Sequence, residues 1–273
     1  MRSSWWEFRD PNKFFELETL NVLSAKAFYD AMGSQLQDED ILLFVHGFNN
    51  TFEFASLRVA QLVHDIRFPG EAIVFSWPSE GKTGKNAYRR DEKRAEVSYL
   101  ALAEVLSSLI QRQRETTSGK GKIHLIAHSM GNRVLLHAMH QLRGQIHDGE
   151  KPFGHVILAA ADMDVDKFVA FIPSVVQPSE SVTMYFCTND LALMASRVVH
   201  INKRVGEGPV FMKELDNIDA ETANTSFLGH DSYASDSAVL EDIGILVNKD
   251  LPPPKRPSLS PAESLGYVYW VFN

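Results

Sequence analysis

The sequence has almost no cysteine and no long apolar run. Cys187 is the single cysteine among 273 residues, so the chain forms no internal disulfide and no cysteine-rich zinc site. No segment approaches the ~20 consecutive apolar residues of a membrane-spanning helix. The metalloprotease pattern H-E-x-x-H does not occur either. We therefore expect no membrane span and no catalytic metal.

Positive charge is also scarce. Lysine and arginine together number 27 against 35 acidic residues, which gives a net charge of -8. This balance argues against a nucleic-acid partner, and it leaves the oligomeric state open. The beginning, MRSSWWEFRDPNKFF, carries charges where a signal peptide needs an apolar stretch. We expect a cytoplasmic protein, with export of a longer natural precursor left open.

One stretch imitates a phosphate-binding loop. SWPSEGKTGK, residues 76–85, follows an apolar run, but the pattern G-x-x-x-x-G-K-[ST] needs glycine at the position of Ser76. Pro78 also lacks an amide that such a loop would use. We therefore expect no nucleotide and no other cofactor.

Apolar runs alternate with amphipathic stretches over most of the chain. Strands are predicted at 41–45, 72–77, 123–127, 155–161 and 181–187, with a weaker one at 210–215. Apolar residues at helical spacing predict helices between these runs and a last helix at 237–247. Strands that are apolar on both faces and alternate with helices indicate an α/β fold, with a mostly parallel central sheet covered on both faces.

No linker interrupts the alternation, so a single domain is predicted over residues 41–250. Residues 1–40 form an N-terminal extension that we expect to pack on this domain, and its aromatic residues belong to the core or cover the site (Trp5, Trp6, Phe14 and Phe15). Residues 251–273 join a Pro-rich connector to the tail GYVYWVF, a late strand or packing tail. The stretch 162–180 has room for one short helix and not for a large cap domain.

Ser129 stands at the corner between a predicted strand and a predicted helix, in KIHLIAHSMGNRVLLHAM (122–139). Ala127 and Gly131 flank it at the spacing of the nucleophile elbow, G-x-S-x-G, with alanine in place of the first glycine. Such a turn places the hydroxyl beside a helix N-terminus, where free amides favour developing negative charge. The amide of Met130 would be one oxyanion-hole donor. A serine that only caps the helix is the alternative.

The segment FVHGFNN (44–50), which ends the first predicted strand, suits the second half of an oxyanion hole. Gly47 permits a close approach of the backbone to a substrate oxygen, and Phe48 would present the N–H. We expect His46 to brace this loop rather than to act as a base.

Several stretches resemble a bacterial family known as alpha/beta hydrolase of unknown function. They run from about residue 41 to residue 247 and read ILLFVHGFNNTFEFASLRVAQLVHD, VFSWPSEG, KIHLIAHSMGNRVLLHAM, HVILAAADMD and FLGHDSYASDSAVLEDI. The resemblance implies the α/β-hydrolase fold and a serine hydrolase site. It implies no particular substrate.

In this fold the order along the chain is serine, acid, histidine. His230, in SFLGHDSY after the weak last strand, is the expected base. Two places suit the acid: Asp190 follows MYFCTN, whereas Asp162 and Asp164 follow HVILAAA one strand earlier. We favour Asp190; the other two would then line the pocket or cap the next helix.

These residues predict a serine hydrolase that cleaves carboxylic esters of short to medium acyl chains through an acyl-enzyme intermediate. The substrate, a small molecule, would lie against Gly47, His128 and Met163, close to the two oxyanion donors. A thioesterase or a peptidase would use the same triad. A binding module that keeps this fold without catalysis is the alternative from another class.

Overall fold

Strands and helices alternate along the chain. A computed structural model describes residues 15–116, 120–188, 204–221 and 237–273. Within these residues the helices are α1 (Ala25–Gln35), α2 (Phe52–Asp65), α3 (Lys85–Glu115), α4 (Gly131–Leu142), α5 (Val165–Phe171), α6 (Pro173–Val176) and α7 (Ser237–Lys249). The strands are β1 (Ile41–Val45), β2 (Glu71–Phe75), β3 (Ile123–His128), β4 (Phe153–Ala159), β5 (Ser179–Phe186), β6 (Leu215–Asp219), β7 (Leu259–Ser264) and β8 (Tyr267–Phe272).

The eight strands form one sheet in the order β2-β1-β3-β4-β5-β6-β8-β7. All neighbouring pairs are parallel except β7 and β8, which form an antiparallel hairpin at one edge. Because parallel strands end at the same edge of a sheet, the segments that follow β1, β3 and β4 lie side by side. The candidate site is built from these three segments.

Helices cover both faces of the sheet, which explains why the central strands are apolar throughout. Alternate residues of β1 belong to two different cores: Leu43 packs with α3 and α4 on one face, and Leu42 packs with α2 and α7 on the other. Every residue of β1, β3 and β4 is buried. The structure therefore has the three-layer α/β architecture that the sequence predicts, and the connection between β4 and β5 holds only the short helices α5 and α6.

Most predicted elements lie within a few residues of the observed ones, but the predicted strand at 210–215 is wrong. The strand in this region is β6, five residues later. The Asn217 side chain accepts a hydrogen bond from the Val210 N–H at 2.8 Å and donates one to the Val210 carbonyl at 3.1 Å. The Leu215 N–H donates to the Met212 carbonyl in a turn. The apolar residues of 210–212 therefore pack against the core from a loop whose backbone Asn217 holds.

Helix α1 and strand β8 both join the structure built around the central sheet. In α1, Phe28 and Met32 pack on the core that contains α3. At the other end, β8 pairs with β6 and so extends the central sheet. The aromatic residues Trp5, Trp6 and Phe14 and the helix-like stretch 191–199 lie outside the described residues. None of the helices that the structure describes has the length and apolar character needed to cross a bilayer.

Two buried histidines stack at the edge of the sheet where β3 and β4 begin. The rings of His124 and His155 lie 5.1 Å apart with an interplanar angle of 17°. The His155 N–H donates to His124 Nδ1 at 3.0 Å, and the His155 ring lies 2.8 Å from the Ser181 hydroxyl. Burial, together with the nearby His124, lowers the pKa of His155 to about 4, while Asp250 and Glu180 act in the opposite direction. This ring is therefore neutral at pH 7.

Candidate active site

Ser129 has a left-handed backbone in the turn between β3 and α4. Its φ is 50°, a value that non-glycine residues rarely adopt. The Ser129 N–H donates to the Ala159 carbonyl at the end of β4, at 2.9 Å, and the Ser129 carbonyl accepts from the Asp162 N–H at 3.2 Å. The Asn132 side chain also donates to the Ser129 carbonyl, at 3.0 Å. These bonds hold a strained conformation that is typical of a nucleophile elbow.

The residues two positions before and after Ser129, Ala127 and Gly131, are small because backbone atoms of the neighbouring strand and loop lie close to them. A Cβ atom on Gly131 would lie 2.5 Å from the Val45 carbonyl oxygen and 2.6 Å from that of His46. Ala127 pairs with Val45 inside the sheet and is fully buried. Gly131 is therefore required by the approach of the segment after β1, whereas an alanine fits at 127.

The loop after β1 lies directly against Ser129. A Cβ atom on Gly47 would lie 3.0 Å from the Ser129 Cβ and 3.0 Å from His128 Nδ1. The Asn50 side chain donates to the carbonyl of Phe48 at 2.9 Å and, more weakly, to that of Gly47 at 3.3 Å. These bonds fix the peptide units of the loop beside the serine. The structure thus brings Ser129 together with Gly47 and Phe48, the two residues predicted to form the second oxyanion donor.

The His46 side chain and backbone hold this loop through hydrogen bonds and a ring contact. Its ring is buried, stacks on Trp77 at 5.0 Å, and donates from Nδ1 to the Gly47 carbonyl at 2.9 Å. Trp77 Nε1 in turn donates to the His46 carbonyl at 2.7 Å. Burial lowers the pKa of His46, although hydrogen bonds with the backbone of Gly47 and Trp77 oppose that effect. His46 occupies a bracing position, as expected.

Asp162, one of the two alternatives for the triad acid, is buried and bonded to other side chains. The Tyr88 hydroxyl donates to Oδ2 at 2.5 Å, and Arg204 Nε donates to Oδ1 at 2.8 Å. Arg133 Nη2 lies 3.6 Å from Oδ1, and Arg133 Nε donates to the Asp162 carbonyl at 2.6 Å. We call Tyr88, Arg133, Asp162 and Arg204 the Asp162 cluster. Both carboxylate oxygens of Asp162 are thus engaged.

The charges of the Asp162 cluster are matched by acidic neighbours. Burial disfavours the charge of Arg133, but Asp162, Tyr88 and Glu92 outweigh it and raise the pKa of Arg133 above the ordinary arginine value. Arg133 also pairs with Glu92. Asp164, the other alternative acid, receives a bond from Arg204 Nη1 at 2.6 Å and occupies the position that precedes α5.

The other residues predicted to form the site differ in how much they expose, and the Met163 side chain, predicted to contact substrate, is only 1% exposed. Phe48 is partly exposed, and its ring meets the Tyr88 ring edge-on at 5.4 Å. The side chains of Met130 and Met163 are buried in the core, so Met130 would act through its backbone amide. His128, the last residue of β3, is buried beside Gly47. Asp190 and His230, the predicted acid and base, lie outside the described residues.

The sequence interpretation missed the Asp162 cluster as a unit. One signal was available: Arg133 is a charged residue at the start of α4, directly before the apolar run Val134–Leu136 and four residues after the proposed nucleophile. A second was the acidic residue after the neighbouring strand, since the carboxyl ends of adjacent parallel strands meet. Nothing in the local sequence pointed to Tyr88 or Arg204, which come from distant segments.

Comparisons with individual known proteins give only low-scoring similarities. A search of curated proteins finds no match. Among solved structures, phospholipase PlaB from Legionella pneumophila in complex with thio-NAD is 12% identical, with a TM-score of 0.40, covering 85% of this chain and 67% of that one. An acetylxylan esterase is 11% identical, with a TM-score of 0.36, covering 75% of this chain and 92% of that one. With scores this low, neither similarity carries an argument.

A family model gives the stronger result. It matches residues 24–248, from the residue before α1 to the last turn of α7, and is described as an alpha/beta hydrolase of unknown function (DUF900). The matched span includes Ser129, the loop after β1 and the Asp162 cluster. The chain therefore belongs to this family of alpha/beta hydrolases.

Proposed function

We propose that this protein is a serine hydrolase that cleaves carboxylic esters of short to medium acyl chains. The observation that carries the proposal is the left-handed Ser129, at the N-terminal end of α4, against which the Gly47 loop packs. A hydroxyl at such a turn can attack a carbonyl carbon while backbone amides on both sides receive the developing oxyanion. Family membership supports the reaction class.

In the proposed mechanism His230 takes the proton of the Ser129 hydroxyl as the oxygen attacks the ester carbonyl. The amides of Met130 and Phe48 stabilise the tetrahedral oxyanion. The alcohol then leaves with a proton from His230, and water releases the acid from the acyl-enzyme by the reverse sequence.

Asp190 is the proposed acid that orients His230. In support of it over Asp162 and Asp164, those two carboxylates already bind Arg204, and Asp162 also binds the Tyr88 hydroxyl. A triad acid must accept a hydrogen bond from the histidine, and a carboxylate engaged at both oxygens is poorly disposed to do so.

Labelling with a fluorophosphonate tests the proposal. Wild type should be labelled and should hydrolyse p-nitrophenyl esters, whereas Ser129→Ala should lose labelling and more than about 10³-fold of the rate. Ser108→Ala, on α3, is the control and should behave as wild type. The rate should fall below about pH 6.5, where an ordinary imidazole becomes charged.

Two results would contradict the proposal. A wild-type protein that no fluorophosphonate labels would not be a serine hydrolase, and a rate that rises steeply beyond ten carbons would contradict the acyl-chain preference. A parallel panel of ester, thioester and amide substrates distinguishes the three uses of the same triad.

A further inference from the structure

The Asp162 cluster is a buried ionic centre beside the proposed nucleophile. Asp162 and Arg204 are almost completely inaccessible, at 2% and 0% exposed, and Arg133 is 5% exposed. Burying such charges is costly unless each finds partners. Here the Tyr88 hydroxyl receives a bond from Arg133 at 3.1 Å and donates one to Asp162 at 2.5 Å. The cluster is therefore a rigid, mutually bonded unit.

This unit is joined to the elbow through the backbone of Asp162. The Asp162 N–H donates to the Ser129 carbonyl at 3.2 Å. The Asp162 carbonyl accepts from Arg133, which stands on the first turn of α4. The peptide groups on both sides of Asp162 are thus fixed to the turn that carries Ser129 and to the helix that follows it. A shift of Asp162 would move the elbow.

The Asp162 cluster also contacts the loop after β1, through the Phe48 ring. The Tyr88 ring, held by its hydroxyl in the Asp162 cluster, packs edge-on against Phe48 at 5.4 Å. Phe48 is the residue proposed to supply the second oxyanion amide. Asp162 is therefore bonded directly to the Ser129 carbonyl, which shares a peptide group with the Met130 amide, and is linked to Phe48 through Tyr88.

A third connection fixes the segment that contains Arg204. The Val205 N–H donates to the Met163 carbonyl at 3.0 Å, and the Gly206 N–H donates to the Ala161 carbonyl at 2.9 Å. The backbone on both sides of Asp162 is bonded to this segment, while the Arg204 side chain binds the Asp162 carboxylate. The carboxylate and its own backbone thus hold one another in place.

We propose that Asp162 is a positioning residue for ester hydrolysis: its carboxylate sets the relative placement of the Ser129 elbow and the Phe48 loop, and so aligns the two oxyanion donors. This inference rests on the proposed function. Misplacing reacting groups by about 1 Å can cost on the order of 10²-fold in rate. Loss of the Asp162 charge should therefore lower kcat more than it raises KM.

The opposite face of the sheet offers a matched control. There the Tyr185 hydroxyl donates to Asp242 at 2.5 Å and Arg256 donates to the same carboxylate at 2.9 Å. We call Tyr185, Asp242 and Arg256 the Asp242 cluster. All three are buried, and they join α7, which carries Asp242, to β5, which carries Tyr185. Both clusters join a buried aspartate to a tyrosine hydroxyl and an arginine, although the Asp162 cluster has a second arginine, and they differ in what they support.

The experiment compares Asp162→Asn and Tyr88→Phe with Asp242→Asn and Tyr185→Phe. The number of reactive sites in each variant is first counted by titration with fluorophosphonate. Because only folded copies are labelled, the kcat per labelled site does not depend on how much of the protein is folded. Asp162→Asn should lower kcat per site by about 10–100-fold and Tyr88→Phe by about 3–10-fold, with KM within about threefold. The midpoint of the pH-rate curve should stay at its wild-type value. The Asp242 cluster variants should keep the wild-type kcat per site.

Three outcomes overturn the inference. The first is an unchanged kcat per site in Asp162→Asn. If that variant does not fold, an unchanged kcat per site in Tyr88→Phe overturns the inference instead. The second is an equal loss in the Asp242 cluster variants. The third is a displaced pH midpoint with a loss near ~10⁴-fold, which would make Asp162 the triad acid. A wild-type protein without labelling would instead reject the proposed function itself.

Discussion

Two residues at the candidate site, Ser129 and Ala160, have a strained backbone conformation. Ser129 and Ala160 both have a left-handed backbone, with φ values of 50° and 45°, at the ends of adjacent strands. The Ser129 N–H and the Ala160 N–H each donate to the next strand of the sheet, at 2.9 and 3.0 Å. The sheet thus supplies the bonds that keep two non-glycine residues in a conformation that costs roughly 1 kcal/mol or more each.

Of the two glycines that lie beside Ser129, Gly131 has less clearance than Gly47, so Gly131→Ala should be damaging. Its new methyl group would lie 2.5 Å from a backbone oxygen, which cannot move as a side chain can. We expect the free energy of unfolding in urea to fall by about 1–3 kcal/mol, with slower fluorophosphonate labelling of Ser129. Gly144→Ala, whose Cβ would have no neighbour within 4 Å, is the control. Equal stability of the two variants would refute the clearance argument.

The sequence predicted these residues unequally. Ser129, Gly131 and Gly47 could be singled out because the turn after β3 and the loop after β1 have short, local patterns, and the structure places the three side by side. The bonds of Asp162 to Arg204 and Tyr88 join residues 42 and 74 positions apart. Such pairings depend on how the strands are ordered in the sheet, which no local pattern encodes.

At the scale of elements, the loop after β1 owes its shape to a neighbouring segment. Trp77, just after β2, donates to the His46 carbonyl and stacks on the His46 ring. The Ser79 hydroxyl receives a bond from the Asn50 N–H at 3.3 Å and donates to buried Asp91 at 2.7 Å. The segment after β2 therefore connects the proposed oxyanion loop to α3.

Trp77→Phe should disturb catalysis through this loop. It keeps an aromatic ring beside His46 but leaves the His46 carbonyl without the indole donor, a loss worth roughly 1–3 kcal/mol in a buried position. We expect kcat for a short-chain ester to fall by about 3–10-fold with little change in KM. Trp270→Phe, on β8, makes the same change in the other core and should leave kcat unchanged. A reversed order of effects would contradict the bracing role.

Element boundaries were predicted best at β1, whereas β4, although also fully buried, begins and ends two residues earlier than predicted. Strand β1 was predicted to the residue because all five of its side chains are buried and apolar. Strand β6, with the sequence LDNID, was misplaced because it has two aspartates and an asparagine, while the more apolar 210–212 forms a loop. Asn217 decides that arrangement through its bonds to Val210, and an asparagine alone does not predict them.

For the whole molecule, the stacked His124 and His155 predict sensitivity to acid. The pKa of His155 is about 4 when folded, against an ordinary value of 6.5. The unfolded chain therefore binds a proton at this ring below about pH 6.5, and the folded protein does not until about pH 4. The stabilising contribution is complete above pH 6.5 and is lost as pH falls toward 4, at a total cost of about 3 kcal/mol.

His155→Gln should flatten this dependence. We expect urea unfolding between pH 7.5 and 4.5 to give a shallower loss of stability for the variant than for wild type, whatever its stability at pH 7.5. His64→Gln, at an exposed position of α2, should keep the wild-type slope. Parallel curves for wild type and His155→Gln would show that another group causes the acid sensitivity.

Strand β3 has His124 near its beginning and Ser129 just past its end, about 16 Å apart at ~3.3 Å per residue. Acid thus affects two separate quantities: protonation of His155 lowers the fraction of folded copies, and protonation of the proposed base lowers the rate of each folded copy. A plot of raw activity against pH multiplies these two curves. The midpoint of such a plot is therefore not the pKa of either group. Only the rate per folded copy gives the pKa of the proposed base.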